Sequence, residues 1–322
     1  MRRFLNYFFS ILLLSCFVII FYLLVVAKSD NDQKYLSPLP DFLTLGLNKQ
    51  VTVLDLWSPI IEKFQGDPTM PPDYTAKSVL VYDLTSDKTL FEHDSKLRLP
   101  MASLTKIMTA IISLENKKPD DSYYVSGRDL VGEDSMGLGT GEVLTQEELL
   151  YGLMLPSGND AAEVLADNFN DGGRDNFIKA MNDKAKSLGL KDTIFSNPSG
   201  LQGDGVQYTT ASDLLVVTRY ALENFTLFGK IVSTYEKIIP ASISHKEYDL
   251  INETNLLTTY PGVKGIKTGY TPEAGLCLVT LLDYEGHQII GIILNSENRR
   301  EEMRNFLDFS LKKLDIVPPD HE

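Results

Sequence analysis

A chain of 322 residues, 43% hydrophobic and 23% charged, has the composition of a globular protein with room for one large or two modest domains. Its net charge of −14 argues against nucleic acid or an anionic membrane surface as a partner. Cys16 and Cys277 lie in separate apolar runs and support neither a disulfide framework nor a zinc site. His93, His245, His287 and His321 are scattered without metal-ligand spacing, so no metal or cofactor is expected. A Ser-His-Asp arrangement stays open from the residues alone, with nothing pointing to it.

Arg2 and Arg3 precede a 24-residue run, Phe4 to Ala27, without a charged side chain. At about 1.5 Å per residue this is about 36 Å of helix, enough to cross a hydrocarbon core of roughly 30 Å. The basic pair before the run, with Asp30 and Asp32 after it, puts the N-terminus in the cytoplasm and the rest outside. Residues 1–28 are therefore expected to be a cytoplasmic stub and single-pass anchor in the cell membrane. A cleaved signal peptide ending at Val25-Val26-Ala27 is the rival, but the run exceeds the roughly 7–15 apolar residues of a signal. A lipoprotein site at Cys16 is disfavoured because the apolar run continues past it. Residues 29–72, with Pro38, Pro40, Pro59, Pro68, Pro71 and Pro72, read as a stem. Its apolar patch, Val51 to Trp57, predicts that part of it packs on something.

The folded unit is expected over 73–316, with a tail at 317–322. Ser78 to Asp83 reads as a strand and Lys88 to Glu92 as its hairpin partner. A helix carrying Ser103 runs to about Asn116 and is closed by Lys117-Lys118-Pro119. A glycine-rich loop, Gly132 to Gly141, leads to Thr145 and Glu148 at the spacing of a capping box. The helix so opened, Gln146 to Leu155, stops at Pro156, and Asp160 is expected to cap the next, Ala161 to Asn168. Asp175 to Leu188 forms a helix ended by Gly189, Asn197 to Gly200 a turn, and Thr210 opens a helix toward Asn224. Strands return at Lys264 to Tyr270, Gly275 to Leu282 and Gln288 to Asn295, before an amphipathic helix from Arg300 to Leu314. Strands at both ends with helices between predict one α+β domain, its sheet assembled from the termini around a helical insertion.

The chemistry concentrates at Ser103-Leu104-Thr105-Lys106. Positions i and i+3 share a helix face, so Ser103 and Lys106 can share a hydrogen bond. Pro100 puts Ser103 in the first turn, where free N–H groups and the helix dipole favour developing negative charge. A serine beside an amine able to lose its proton is a nucleophile with its own base. Ile107 to Ile112, apolar nearly all round, predicts burial that holds the pair rigid. Ser-x-x-Lys alone is weak, with roughly one chance match expected in a chain this long. Ser310 and Lys313 form such a match on a polar helix, where both are expected to be solvated. The first copy gains weight from Ser157-Gly158-Asn159, on a tight helix–helix connection, and from Lys267-Thr268-Gly269. Ser-x-Asn recurs at Ser296 to Asn298, whereas Lys-Thr-Gly occurs once against a chance expectation on the order of 0.1.

With Ala102 to Ala110, Leu153 to Ala162, Asn197 to Leu201 and Gly265 to Thr271, the chain resembles the low-molecular-weight penicillin-binding proteins of the serine-type D-alanyl-D-alanine carboxypeptidase family. The resemblance covers about residues 71–314. It implies a penicillin-binding protein/serine β-lactamase-like fold, an antiparallel sheet flanked by helices with a helical insertion. It also implies acyl transfer on peptidoglycan stem peptides ending in D-Ala-D-Ala, with β-lactams as covalent inhibitors. Ser103 would attack the penultimate D-Ala carbonyl, Lys106 would take its proton, and Ser157 and Asn159 would complete the proton network and hold the peptide. Lys267 and Thr268 would receive the terminal carboxylate, and Gly269 would let the substrate backbone lie close to the edge strand. The N–H groups of Ser103 and Tyr270 would form the oxyanion hole. Arg299, or Arg300, falls roughly where the family carries a carboxylate-assisting arginine, after a loop that is shorter here.

Two departures accompany the resemblance. The chain stops soon after the last helix, without the β-rich second domain of many relatives, and Ile316 to Glu322 cannot form a C-terminal membrane helix. The N-terminal span would replace that anchor. A D,D-endopeptidase acting on cross-linked peptidoglycan would use the same residues and stays open. A β-lactamase would need an activated deacylating water, and no obvious glutamate for it flanks Asn197. An inactive penicillin-binding scaffold would not need the intact motifs.

Overall fold

The computed structural model describes residues 57–59, 61, 70–169 and 172–321. Ser78–Asp83 (β1) and Lys88–His93 (β2) form a hairpin, and a 3₁₀ turn at Ala102–Thr105 runs straight into the helix Lys106–Glu115 (α1). Tyr123–Tyr124 (β3) and Val143–Leu144 (β4) pair across the glycine-rich loop. Five helices follow: Gln146–Met154 (α2), Asn159–Asp167 (α3), Gly173–Ser187 (α4), Ala211–Asn224 (α5) and Thr226–Val232 (α6). Glu236–Ile239 (β5) pairs with Tyr248–Ile251 (β6), and Leu256–Thr259 (α7) precedes the long strands Val263–Thr271 (β7), Gly275–Tyr284 (β8) and His287–Ser296 (β9). Arg299–Lys313 (α8) closes the domain.

The main sheet has five strands in the order β2-β1-β9-β8-β7, every neighbouring pair antiparallel. Strands from both ends of the domain thus meet, as expected, and β7 is left as an edge. Alternation along the strands sorts the apolar side chains onto two faces. Val79, Val81, Leu282, Ile289 and Ile293 pack in one core with Met303, Phe306 and Leu307 of α8. Leu80, Tyr82, Val279, Ile290 and Ile292 belong to the larger core that α1 to α6 help to fill. Both faces being covered explains why β8 and β9 read as nearly unbroken apolar runs.

Lys106 through Ser113 of α1 are all buried, which is the burial expected from Ile107 to Ile112. A fully buried Ile, Leu or Met contributes roughly 1.5–3 kcal/mol. An ion pair such as Arg128–Asp167, with the arginine 75% exposed, contributes roughly 0–1 kcal/mol. Hydrophobic burial, not surface charge, therefore fixes the helix that carries the Ser-x-x-Lys pair.

The capping box at α2 is present: Thr145 Oγ1 accepts from Glu148 N at 3.4 Å and Glu148 Oε2 accepts from Thr145 N at 2.8 Å. Asp160, expected to be a cap, lies inside α3, whose N-cap is Gly158. Its carboxylate instead accepts from Met136 N, Gly137 N and Leu138 N at 3.0, 3.1 and 3.0 Å, tying down the glycine-rich loop. Buried loop amides need acceptors, and Asp160 supplies them. Ser310, expected to be solvated, is fully buried on the sheet side of α8, while Lys313 Nζ donates to Leu90 O at 3.0 Å.

The expectation that part of the stem packs on something is met at Trp57, whose ring lies 5.9 Å from that of Tyr82 and under the Arg219 guanidinium at 3.9 Å. Among the described residues no helix is long and apolar enough to cross a membrane. The expected span at residues 4–27 and most of the stem lie outside the described residues.

Candidate active site

Segments far apart in sequence meet at the Lys106 amine. Ala102, in the 3₁₀ turn, takes a φ of 47°, a region sparsely populated by residues with a Cβ, and the turn presents Ser103 at the head of α1 with 9% of its surface exposed. Lys106 Nζ lies 2.9 Å from Ser103 Oγ, 2.6 Å from Asn159 Oδ1 and 2.7 Å from Ser199 O. Asn159 is itself held, its Nδ2 donating to Glu133 O at 3.3 Å and its backbone N–H to Asp134 O at 2.7 Å. That leaves Asn159 Oδ1 facing the amine.

The partner types decide what the amine can do. Asn159 Oδ1 and Ser199 O only accept, so each takes an N–H, whereas the Ser103 hydroxyl can also donate. A neutral amine has two N–H bonds and one lone pair, and this set matches it, with the lone pair toward Ser103. Electrostatics favour the same form. Burial, and after it the charge of Lys267, hold Lys106 well below the ordinary lysine value of 10.5, against the opposing pull of Asp134, Glu253 and Asp160.

Ser157 is buried on the connection between α2 and α3, two residues before Asn159, with a left-handed φ of 63°. The amine's own bonds go to Ser103, Asn159 and Ser199, and Ser157 is not among its partners.

The opposite wall is β7. Lys267 and Thr268 are buried and pair in register with Val279 and Leu278. Burial brings Lys267 down to about 8, with Glu253 pulling it up, Arg299 pushing it down and Asp134 pulling it up. A Cβ on Gly269 would lie 3.2 Å from Ser103 N and from Met101 O. The missing side chain therefore lets the strand close on the nucleophile's own turn; the expected reason, room for a substrate backbone, is not what that Cβ position faces. Gly200 closes the same turn from the other side: its φ is 91° and a Cβ would fall 2.0 Å from Ala102 O. Tyr270 is 60% exposed, so its ring faces solvent next to the Lys-Thr-Gly residues.

Of the two candidate arginines, Arg299 joins this strand and Arg300 is exposed. Arg299 Nη1 donates to Gly269 O at 2.6 Å and to Cys277 O at 3.3 Å, and burial lowers its guanidinium below the usual arginine range. It lines a cavity of about 30 Å³ together with Thr268, Glu253 and Arg300.

Two contributors escaped the sequence reading. Ser199 acts through a backbone carbonyl, and its signals were the turn Asn197 to Gly200 and the family segment Asn197 to Leu201, neither of which pointed to that oxygen. Glu253, whose Oε2 accepts from Thr268 Oγ1 at 3.4 Å, follows a strand too short to be read. A hollow opens on each side of Leu201. One hollow, about 890 Å³, is lined by Arg128, Glu163, Arg174, Asp204 and Ser199 among others; the other, about 320 Å³, by Met101, Ala102, Val206 and Thr271 among others. Among the described residues no group of three or more His, Cys, Asp or Glu could hold a metal ion.

The model of the D-alanyl-D-alanine carboxypeptidase family matches residues 65–298. The D-alanyl-D-alanine carboxypeptidase DacF of Bacillus subtilis is 33% identical over 265 residues, 80% of this chain and 67% of that one. A D-alanyl-D-alanine endopeptidase of Pseudomonas aeruginosa is 35% identical over 214 residues, 63% of this chain and 65% of that one. The crystal structure of the Streptomyces K15 DD-transpeptidase superposes with a TM-score of 0.70 at 30% identity, covering 76% of this chain and all of that one. Penicillin-binding protein D2 of Listeria monocytogenes, in its ampicillin-bound form, gives a TM-score of 0.64 at 26% identity, over 73% of this chain and 97% of that one. The chain belongs to the D-alanyl-D-alanine carboxypeptidase family, and its fold is that of the penicillin-binding DD-peptidases.

Proposed function

We infer that the chain is a serine D-alanyl-D-alanine carboxypeptidase, removing the terminal D-Ala from peptidoglycan stem peptides through an acyl-enzyme on Ser103. The observation that carries this reading is the partner set of Lys106 Nζ, two obligate acceptors and the Ser103 hydroxyl. Ser103 Oγ bonds to the penultimate D-Ala carbonyl carbon as its proton passes to Lys106, and the oxyanion is met by the N–H groups of Ser103 and Tyr270. The proton then reaches the leaving D-Ala nitrogen through Ser157, with Asn159 holding the peptide, and the C–N bond breaks. Water attacks the ester, giving a proton to Lys106, which returns it to Ser103 Oγ as the shortened peptide leaves. Lys267 and Thr268 hold the terminal carboxylate, and Arg299 braces the strand carbonyls behind them.

β-Lactams enter by the same acylation, a reading supported by the ampicillin-bound Listeria relative. Endopeptidases among the relatives, at 35% identity in Pseudomonas aeruginosa and Escherichia coli, support a second reading in which the bond cut lies in a cross-link. D-Alanine release from a pentapeptide, set beside cleavage of a defined cross-linked dimer, separates the two. Loss of D-alanine release in Ser103→Ala tests the nucleophile. We also infer that residues 1–28 anchor the protein in the cell membrane with the catalytic domain outside. The uncharged run Phe4 to Ala27 after Arg2 and Arg3 supports this.

A further inference from the structure

The two acceptors of the Lys106 amine belong to different elements: Asn159 opens α3, and Ser199 lies on the segment that follows Asn197. Arg174, near the start of α4, joins the two. The chain enters α4 through Gly172 and Gly173, whose φ angles are 112° and 50°, and a Cβ on Gly173 would fall 3.0 Å from Asp167 O. The helix therefore starts hard against the end of α3, and Arg174 reaches back to Glu163, one turn past Asn159. Arg174 Nε donates to Glu163 Oε2 at 2.6 Å and Nη2 to Glu163 Oε1 at 3.3 Å. Nη2 also donates at 2.6 Å to Oδ2 of Asp204, past Ser199 on the same segment. Glu163 is buried, whereas Asp204 is half exposed. On its other side the Ser199 segment is tied to α1, Thr109 Oγ1 donating to Pro198 O at 2.6 Å.

We propose that Arg174 is a positioning residue for acylation, its guanidinium setting the distance between α3 and the Ser199 segment and so between the two acceptors of the Lys106 amine. The proposal rests on the reading of Lys106 as the base for Ser103. A neutral amine turns about its stem unless both N–H bonds are engaged. Its lone pair faces the Ser103 hydroxyl only while Asn159 Oδ1 and Ser199 O are both in reach. The planar fork of arginine binds both oxygens of one carboxylate and still reaches a second, fixing geometry as well as charge, whereas a lysine is a point charge. Arg174 thus acts through Asn159 and Ser199 rather than on the reacting atoms. Arg128 gives the contrast: it lines the same hollow, and its guanidinium bonds at 2.6 Å to Asp167 of the same helix α3.

The test uses the detergent-solubilised full chain and follows acylation by benzylpenicillin up to saturation, which separates the acylation step, k2, from the noncovalent Kd. D-Alanine release from a D-Ala-D-Ala peptide is measured beside it. Asp204→Asn cuts the arm to the loop and leaves the buried Glu163 paired, so the fold is kept. Arg174→Lys keeps one charge for Glu163 but loses the fork. Each is expected to lower k2 about ten-fold with Kd unchanged, short of the roughly 10²-fold that a misplacement of about 1 Å can cost. The double variant should be no slower than Arg174→Lys alone, and Arg128→Gln should match the wild type. If Arg174→Lys does not fold, Asp204→Asn decides. An unchanged k2 in folded Asp204→Asn, beside a slow Lys106→Arg, would overturn the proposal and leave the base standing. A raised Kd with k2 unchanged would overturn it too and make the Arg174–Asp204 pair a wall of the cleft. An equal fall in Arg128→Gln would overturn it by making the effect one of charge in the hollow. Near-native acylation by Lys106→Arg would refute the base, and the proposal with it. A wild type that takes the penicillin but releases no D-alanine refutes the carboxypeptidase reading, and the k2 values still decide the role of Arg174.

Discussion

Lys106 Nζ approaches Ser103 Oγ at 2.9 Å with both of its other contacts made to obligate acceptors, Asn159 Oδ1 and Ser199 O. A base that must accept a proton is thus held with its lone pair toward the hydroxyl. Arginine cannot lose its proton at working pH. Lys106→Arg should therefore be as damaging as Lys106→Ala, each lowering the second-order acylation rate by roughly 10²–10⁴-fold, the usual worth of a general base. Stopped-flow acylation with a penicillin and turnover of a D-Ala-D-Ala peptide check this. Near-native acylation by Lys106→Arg would remove Lys106 as the base.

Lys267 divides the work differently. Its amine is charged below its value of about 8 and neutral above it, so carboxylate binding is present at pH 7 and lost as pH rises through about 8. The kcat/KM profile for a carboxylate-ended peptide should carry an alkaline limb near there, since that parameter reports the free enzyme. Lys267→Arg keeps a cation at every pH and should retain part of the activity while moving the limb upward. A dead Lys267→Arg beside an active Lys106→Arg would exchange the two roles.

Gly200 is a structural test of the same corner. With φ at 91° and a Cβ position 2.0 Å from Ala102 O, Gly200→Ala must displace the backbone that presents Ser103. It should destabilise the protein by about 2–4 kcal/mol in urea unfolding and slow acylation. Gly132→Ala, where a Cβ would meet nothing within 4 Å, should stay within about 0.5 kcal/mol of the wild type.

Residues 1–28 predict that full-length protein stays in the membrane fraction through salt and carbonate washes, with residues from about 30 onward open to external protease. A soluble mature chain beginning at Lys28 would favour a cleaved signal peptide.

What could be read from residues alone was whatever has a local or ordered signature. The apolar run behind Lys106, the Thr145–Glu148 spacing and the order of the three motifs all found their places in the fold. The meeting of Ser103 and Lys106 followed from their spacing, and that of Asn159 with them was implied by the family resemblance. Ser199 was hidden because a carbonyl oxygen belongs to every residue. The pair β5 and β6 was hidden because each has four residues, and Ile238 and Ile251 point to solvent, so little apolar pattern remains. Asp160 was misread because its partners, Met136 to Leu138, come from a loop brought near only by tertiary folding. Ser310 was misread because the polar composition of its helix concealed a face pressed against the sheet. Glu253 had no motif at all; its meaning lies in its distance to Thr268.

The most direct test of the account is mass mapping of the protein after exposure to benzylpenicillin. Wild type should gain one acyl group, located on Ser103, Ser310→Ala should gain the same group, and Ser103→Ala should gain none while keeping the native unfolding transition. An adduct that persists in folded Ser103→Ala, or one that disappears in folded Ser310→Ala, would contradict the assignment of Ser103 as the nucleophile.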